Sequence, residues 1–225
     1  MIKQIIRHVA ESSPCQFQQL DSQFEELTFY KASHPNHERF LVIVETDKIS
    51  TPSELNDKVQ ASTPPNLLST PSFAKNTDLV LLFRLDSLTE LGKYEDSIFD
   101  IEENAYSLKK HVLYYTPTEL DELNQQLNLG RSLEEVLTDP EFFNHYKLNP
   151  TEETAFSLAC RLYVKLPFLS VPALEATLTS ANQLADTLLN EQQLFSFFNS
   201  IEMKLDNGQT YHEVMEELVS EQMAD

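Results

Sequence analysis

The stretch FLVIVET at residues 40–46 is apolar at every position from Phe40 to Val44. A strand with one wet face alternates apolar and polar residues. A run without alternation is covered on both faces and sits inside a sheet flanked by helices. DLVLLFR at 78–84 reads the same way, and HVLYY at 111–115 is a further strand candidate. Upstream, Leu27 to Lys31 reads as a strand joined to Phe40–Glu45 by the polar turn SHPNHE (33–38).

Helical signals surround these strands. Ile2, Ile5, Ile6 and Val9 form one apolar stripe; Phe17, Leu20, Phe24 and Leu27 form another and predict a second helix. TPSE (51–54) and TPTE (116–119) each have a Thr cap, a Pro at the first helical position and a Glu two residues later, so each starts a helix. STPPNLLSTPSF (62–73) reads as a loop. After Thr116 every signal is helical. SLEE (132–135) and NPTE (149–152) are further capping boxes. Leu174, Leu178, Ala181, Leu184 and Leu188 mark a stripe, as do Leu194, Phe195, Phe198 and Ile201, and then Tyr211, Val214, Met215 and Leu218. The expected fold class is α/β, a mixed sheet with flanking helices, followed by an all-α lobe. The expected domains are 1–116, mixed α/β, and 117–225, acidic and helical.

The net charge is −20. Residues 1–116 hold eleven Lys/Arg against seventeen Asp/Glu, net −6; residues 117–225 hold five against nineteen, net −14. Such a surface repels nucleic acid and anionic membranes and attracts a basic partner. Only three glycines occur, so no glycine-rich phosphate loop can be written. Cys15 and Cys160 lack metal-ligand spacing. The N-terminus MIKQIIRHVAESS has no leader-like apolar run, and the longest aliphatic run, 79–83, is too short to span a bilayer. The expectation is a soluble cytoplasmic chain that uses no cofactor and does not enter a membrane.

Several groups invite a chemical reading. His34, His37 and Glu38 are close in sequence, but a polar turn explains them. Glu45, Asp47 and Lys48 at a strand exit, with Asp78 as a further acid, resemble a metal-dependent nuclease set with the wrong spacing. No serine or cysteine sits in a nucleophile motif. No catalytic, cofactor-binding or metal-binding residue is therefore assigned. In IEENAYSLKKHVLYYT (101–116), Glu102 and Glu103 read as a helix start and Lys109 and Lys110 as its end, each sign matching the helix dipole. Phe195, Phe197 and Phe198 are too many aromatics for one narrow stripe.

NTDLVLLFRLDSL (76–88) and DIEENAYSLKKHVLYYTPTELDEL (100–123) resemble the middle component of bacterial ABC three-component systems, and the similar small subunit of Lamassu-type antiphage complexes. Ile101, Glu102, Glu103, Tyr106, Lys109, Lys110, Val112, Leu113, Tyr115 and Thr116 fit an IEEDxYxFKKYVLxYT-like pattern. Asn104-Ala105 replaces an acidic-Pro pair, and Leu108 and His111 stand for aromatics. The resemblance covers about the first 125 residues. It implies a non-catalytic accessory subunit of an antiviral defence complex, bridging an ABC/SMC-type ATPase and an effector, a nuclease. DNA is then met only indirectly, through the complex. The expected partner interface comprises Glu102, Glu103, Tyr106, Lys109, Lys110, Phe195, Phe197 and Phe198. The alternatives are a metal-dependent nuclease-like enzyme and a free-standing acidic DNA mimic.

Overall fold

The computed structural model describes residues 1–20, 26–33, 38–172, 181–192 and 194–222. The turn around His34 and His37, together with Phe24, Leu174 and Leu178, lies outside them. The elements run α1 (Ile2–Ser12), β1 (Phe17–Leu20), β2 (Leu27–Ala32), β3 (Phe40–Thr46), α2 (Pro52–Ser62), α3 (Pro65–Leu68), β4 (Thr77–Arg84), a 3₁₀ turn (Leu88–Lys93), α4 (Glu95–Glu102), β5 (Lys109–Tyr115), α5 (Pro117–Asn128), α6 (Leu133–Thr138), α7 (Pro140–Leu148), α8 (Ala155–Lys165), α9 (Ala181–Glu191), α10 (Phe195–Asp206) and α11 (Tyr211–Gln222). No helix among the described residues is long and apolar enough to cross a membrane.

The five strands form one mixed sheet in the order β1-β2-β3-β4-β5. β1, β2 and β3 are antiparallel neighbours, while β3, β4 and β5 are parallel. The parallel steps explain the unalternating runs. Leu41, Ile43, Val80, Leu82, Leu113 and Tyr115 face a core shared with α1, α5, α6 and α8. Phe40, Val42, Val44, Leu79, Leu81, Phe83 and Val112 face a second core under α2, α3 and α4. Every inward position of β3 and β4 is thus dry, as a helix-covered sheet requires.

The capping boxes at Thr51, Thr116 and Ser132 form as expected, each with the Glu three residues further on returning to the cap backbone. The box at NPTE does not. Asn149 ends α7, the Glu152 side chain pairs with His145, and α8 starts instead from Thr154, whose hydroxyl accepts from the Ser157 N–H. The helix expected over Phe17–Leu27 is also not observed. Phe17–Leu20 is β1, in register with Phe29–Ala32, and Leu27 opens β2. Pairing to a strand already anchored by β3 overrode a local helical period.

Residue contacts divide the chain into two units, Met1–Pro172 and Ala173–Asp225, rather than at residue 116. The reason is packing: Leu123, Leu133, Val136, Leu158, Ala159 and Leu162 fill the same core as β3, β4 and β5. The first unit is thus a three-layer α/β/α sandwich. The second contains α9, α10 and α11.

Candidate functional site

β5 is an edge strand, so its outer N–H and C=O groups have no strand partner. Side chains serve them instead. Glu102, the last residue of α4, accepts from the Val112 N–H at 2.8 Å. The same carboxylate accepts from Lys165 of α8 at 2.6 and 2.8 Å. One turn earlier on α8, Arg161 donates to the Tyr114 carbonyl at 2.8 Å. It also grips the fully buried Glu119 with two bonds, at 2.8 and 3.1 Å, and lies 4.3 Å from the Tyr114 ring centre. Glu119 in turn closes the capping box of α5. Two i,i+4 cations on α8 thereby clasp the edge of the sheet through two acids.

Glu102 and Glu103 therefore end a helix; they do not begin one. Glu95 and Asp96 occupy the first turn of α4 and Glu103 is its C-cap. A carboxylate at a helix C-terminus is disfavoured by roughly 0.3–1 kcal/mol. Lys165 and the Val112 N–H offset this at Glu102, and solvent screens it at the exposed Glu103.

Lys110 also departs from the expected helix end. Its ammonium is buried and donates to the carbonyls of Tyr106 (2.6 Å), Leu108 (3.0 Å) and Asn104 (3.3 Å) and to the Asn104 side-chain oxygen (3.1 Å). Burial pulls its pKa below the ordinary lysine value. The cation gathers the loop 104–108 around itself. Within the loop Ser107 takes φ +68°, a left-handed conformation unusual for a residue with a Cβ. The Tyr106 N–H donates to the Asn104 side chain. The result is a fixed loop whose tip, Tyr106, is 75% exposed. Exposed Glu103 and Lys109 flank it in sequence.

Two clefts border these elements. One, of about 590 Å³, runs beside β5 and is lined by Leu88, Tyr114, Tyr146, Cys160, Arg161 and Lys165 among others. Burial pushes the Cys160 thiol above its ordinary value, the reverse of an activated nucleophile. The other, of about 370 Å³, lies between α2, residues 63–74 and the 106–108 loop.

The acids weighed as a nuclease set do not meet. β3 and β4 are parallel, with Leu41 opposite Asp78 and Thr46 opposite Phe83. Asp78 is at the start of its strand, and Glu45, Asp47 and Lys48 are at the far end of theirs. Asp78 is committed elsewhere, to Arg39 at 2.8 Å and near His111 at 3.6 Å. Burial raises its pKa, but the hydrogen bonds of His111 and Arg39 and the Arg39 charge outweigh burial and hold it below the ordinary carboxylate value. Glu45 pairs with Lys3 at 2.9 Å. Tyr115, buried and facing Glu45, is pushed up to about 12.

Phe195, Phe197 and Phe198 lie on α10 in the second unit. Phe195 is half-buried, while Phe197 and Phe198 are 49% and 38% exposed. Sequence reasoning gave Glu119 its capping role but missed its pairing with Arg161, and missed Arg161 and Lys165 altogether. The available signal was two cations four apart on the otherwise apolar AFSLACRLYVK, in a chain with few bases.

No curated protein and no solved structure matches this chain. Residues 39–139, which run from the start of β3 past α6 and contain the whole of α4, the Lys110 loop and β5, match the family model of the ABC-three component (ABC-3C) system Middle Component 1.

Proposed function

We propose that the chain is a non-catalytic assembly subunit of an ABC three-component antiviral system, bridging an ABC/SMC-type ATPase and an effector nuclease in the cytoplasm. The observation that carries this reading is how the matched region spends its polar groups. Glu102, Lys110 and Glu119 are each bonded inward, to an edge strand, a loop and a helix cap. What the same stretch turns outward is a loop tied down by Lys110, with Tyr106 at its tip, beside Glu103 and Lys109. A pre-organised aromatic on an ordered loop is the kind of group that anchors protein interfaces, because little side-chain entropy is lost on binding. The surface charge favours a basic face on the partner and disfavours direct DNA contact.

The test is co-expression of the tagged chain with the ATPase and effector of its own system. Retention of the ATPase on the tag, weakened about tenfold by Tyr106→Ala, is expected for an anchor residue. Elution of the chain alone overturns the reading.

A further inference from the structure

The second unit is unusual in how little it buries. Among its described residues only Val214 is buried, at 2% exposure. Leu184, Leu188, Leu194, Phe197, Met203 and Met215 are all exposed. A helical unit of this size needs apolar burial to offset the entropy of ordering its chain. Exposed apolar surface of this density marks a face that another molecule covers.

Of these, Leu188 and Leu194, together with Leu189, Phe195 and Phe198, line a cleft of about 810 Å³ between α9 and α10. Ala185, Leu188 and Leu189 line it from α9, Gln192 from the turn just past its end, and Phe195, Phe198, Asn199 and Glu202 from α10. Both sets follow the i, i+3, i+4, i+7 spacing of a helix face. Asp186 and Glu202 stand in the lining, and no lysine or arginine does. Residues 173–225 carry ten Asp/Glu and a single base, Lys204, which pairs with Glu217 at 2.7 Å.

We infer that this cleft seats a basic amphipathic α-helix of a partner protein, with apolar side chains on Leu188, Leu189, Phe195 and Phe198 and cations toward Asp186 and Glu202. The inference rests on the reading of the chain as an assembly subunit and names the chemistry of one partner. Apolar residues of α9 and α10 facing one cleft suit a helix lying in a groove. A second copy of this chain brings the same negative charge and is repelled, as are nucleic acid and anionic membrane.

The probe is a labelled synthetic Leu/Lys peptide of roughly 18 residues with a helical apolar stripe. Its binding to the full chain is followed by fluorescence anisotropy. The striped peptide is expected to bind, with affinity reduced at about 0.5 M salt. A scrambled peptide of the same composition, and one with Glu for Lys, are each expected to bind at least about tenfold more weakly. Phe198→Ala and the Asp186→Lys/Glu202→Lys pair are each expected to weaken binding about tenfold. The charge pair leaves the apolar floor intact, so it decides the matter if Phe198→Ala unfolds the unit. Equal binding of striped and scrambled peptides, or no effect of the charge pair, overturns the inference. So does a dimer in sedimentation that Phe198→Ala dissolves, which would make a second copy the occupant. If the charge pair leaves co-purification with both the ATPase and the effector unchanged, the cleft inference fails and the assembly reading stands. If the unaltered chain does not co-purify, the assembly reading fails.

Discussion

Glu102→Ala tests the edge clasp directly. The substitution strands the Val112 N–H, which lies in a fully buried residue, at a cost of about 1–3 kcal/mol. It also removes the counter-ion of Lys165. That ammonium keeps 19% of its side-chain exposure and can turn to water. Its loss therefore falls nearer the exposed-pair value of about 0.5–1 kcal/mol than the several kcal/mol of a sealed pair. Removing a carboxylate from a helix C-terminus returns about 0.5 kcal/mol. The net expectation is a destabilisation of about 2 kcal/mol. For a unit of this size that is roughly 4–8 °C in Tm. Glu102→Gln keeps an oxygen for Val112 and is expected to cost about 1 kcal/mol or less. Urea unfolding followed by far-UV circular dichroism reads the effect as a lower midpoint at unchanged slope. Glu103→Ala, one residue on and exposed, serves as the control and is expected to stay within about 0.5 kcal/mol of the parent. If Glu102→Ala also stays within that margin, the edge of β5 is not held by Glu102. If the Gln variant costs as much as Ala, charge and not the backbone bond carries the clasp.

Arg161→Lys keeps the charge but loses the two-pronged grip on buried Glu119 and the stacking on Tyr114; a loss of about 3 kcal/mol is expected by the same unfolding measurement. Ser107→Gly relieves a left-handed residue with a Cβ and is expected to leave Tm unchanged or raise it, whereas Ser107→Val should lower stability by more than about 1 kcal/mol. Asp78 has a folded pKa below its ordinary 3.8, so its contribution is fully present above that pH and is lost as pH falls through the folded value. The stability gap between the parent and Asp78→Asn is therefore expected to be widest near neutral pH and to shrink below about pH 4, as urea midpoints across that range will show.

The parallel core was legible because β3 and β4 carry their burial on both faces, and that leaves a mark in single residues: no polar break from Phe40 to Val44 or from Leu79 to Phe83. Capping boxes were legible because they close within four residues. β1 was not, since Phe17, Leu20 and Leu27 suit either period and only pairing with β2 decides between them. The unit boundary was obscured for a similar reason. The helices after Thr116 are amphipathic whether they cover one another or a sheet, and the sequence marks only that they have a dry face. At the candidate site, the stretch 101–116 advertised its charges but not their partners. Glu102 finds Lys165 across 63 positions and Glu119 finds Arg161 across 42. No local rule joins residues that far apart.

That distance also has a consequence in time. β5 is complete at Tyr115, yet the cations that cover its edge arrive only at Arg161 and Lys165. At about 5–20 residues per second of synthesis, the growing chain spends several seconds with that edge open. During this interval the nascent sheet is a template on which another extended segment can pair. Closure by α8 ends the interval, so the order in which the chain emerges sets how long the half-made protein must be guarded.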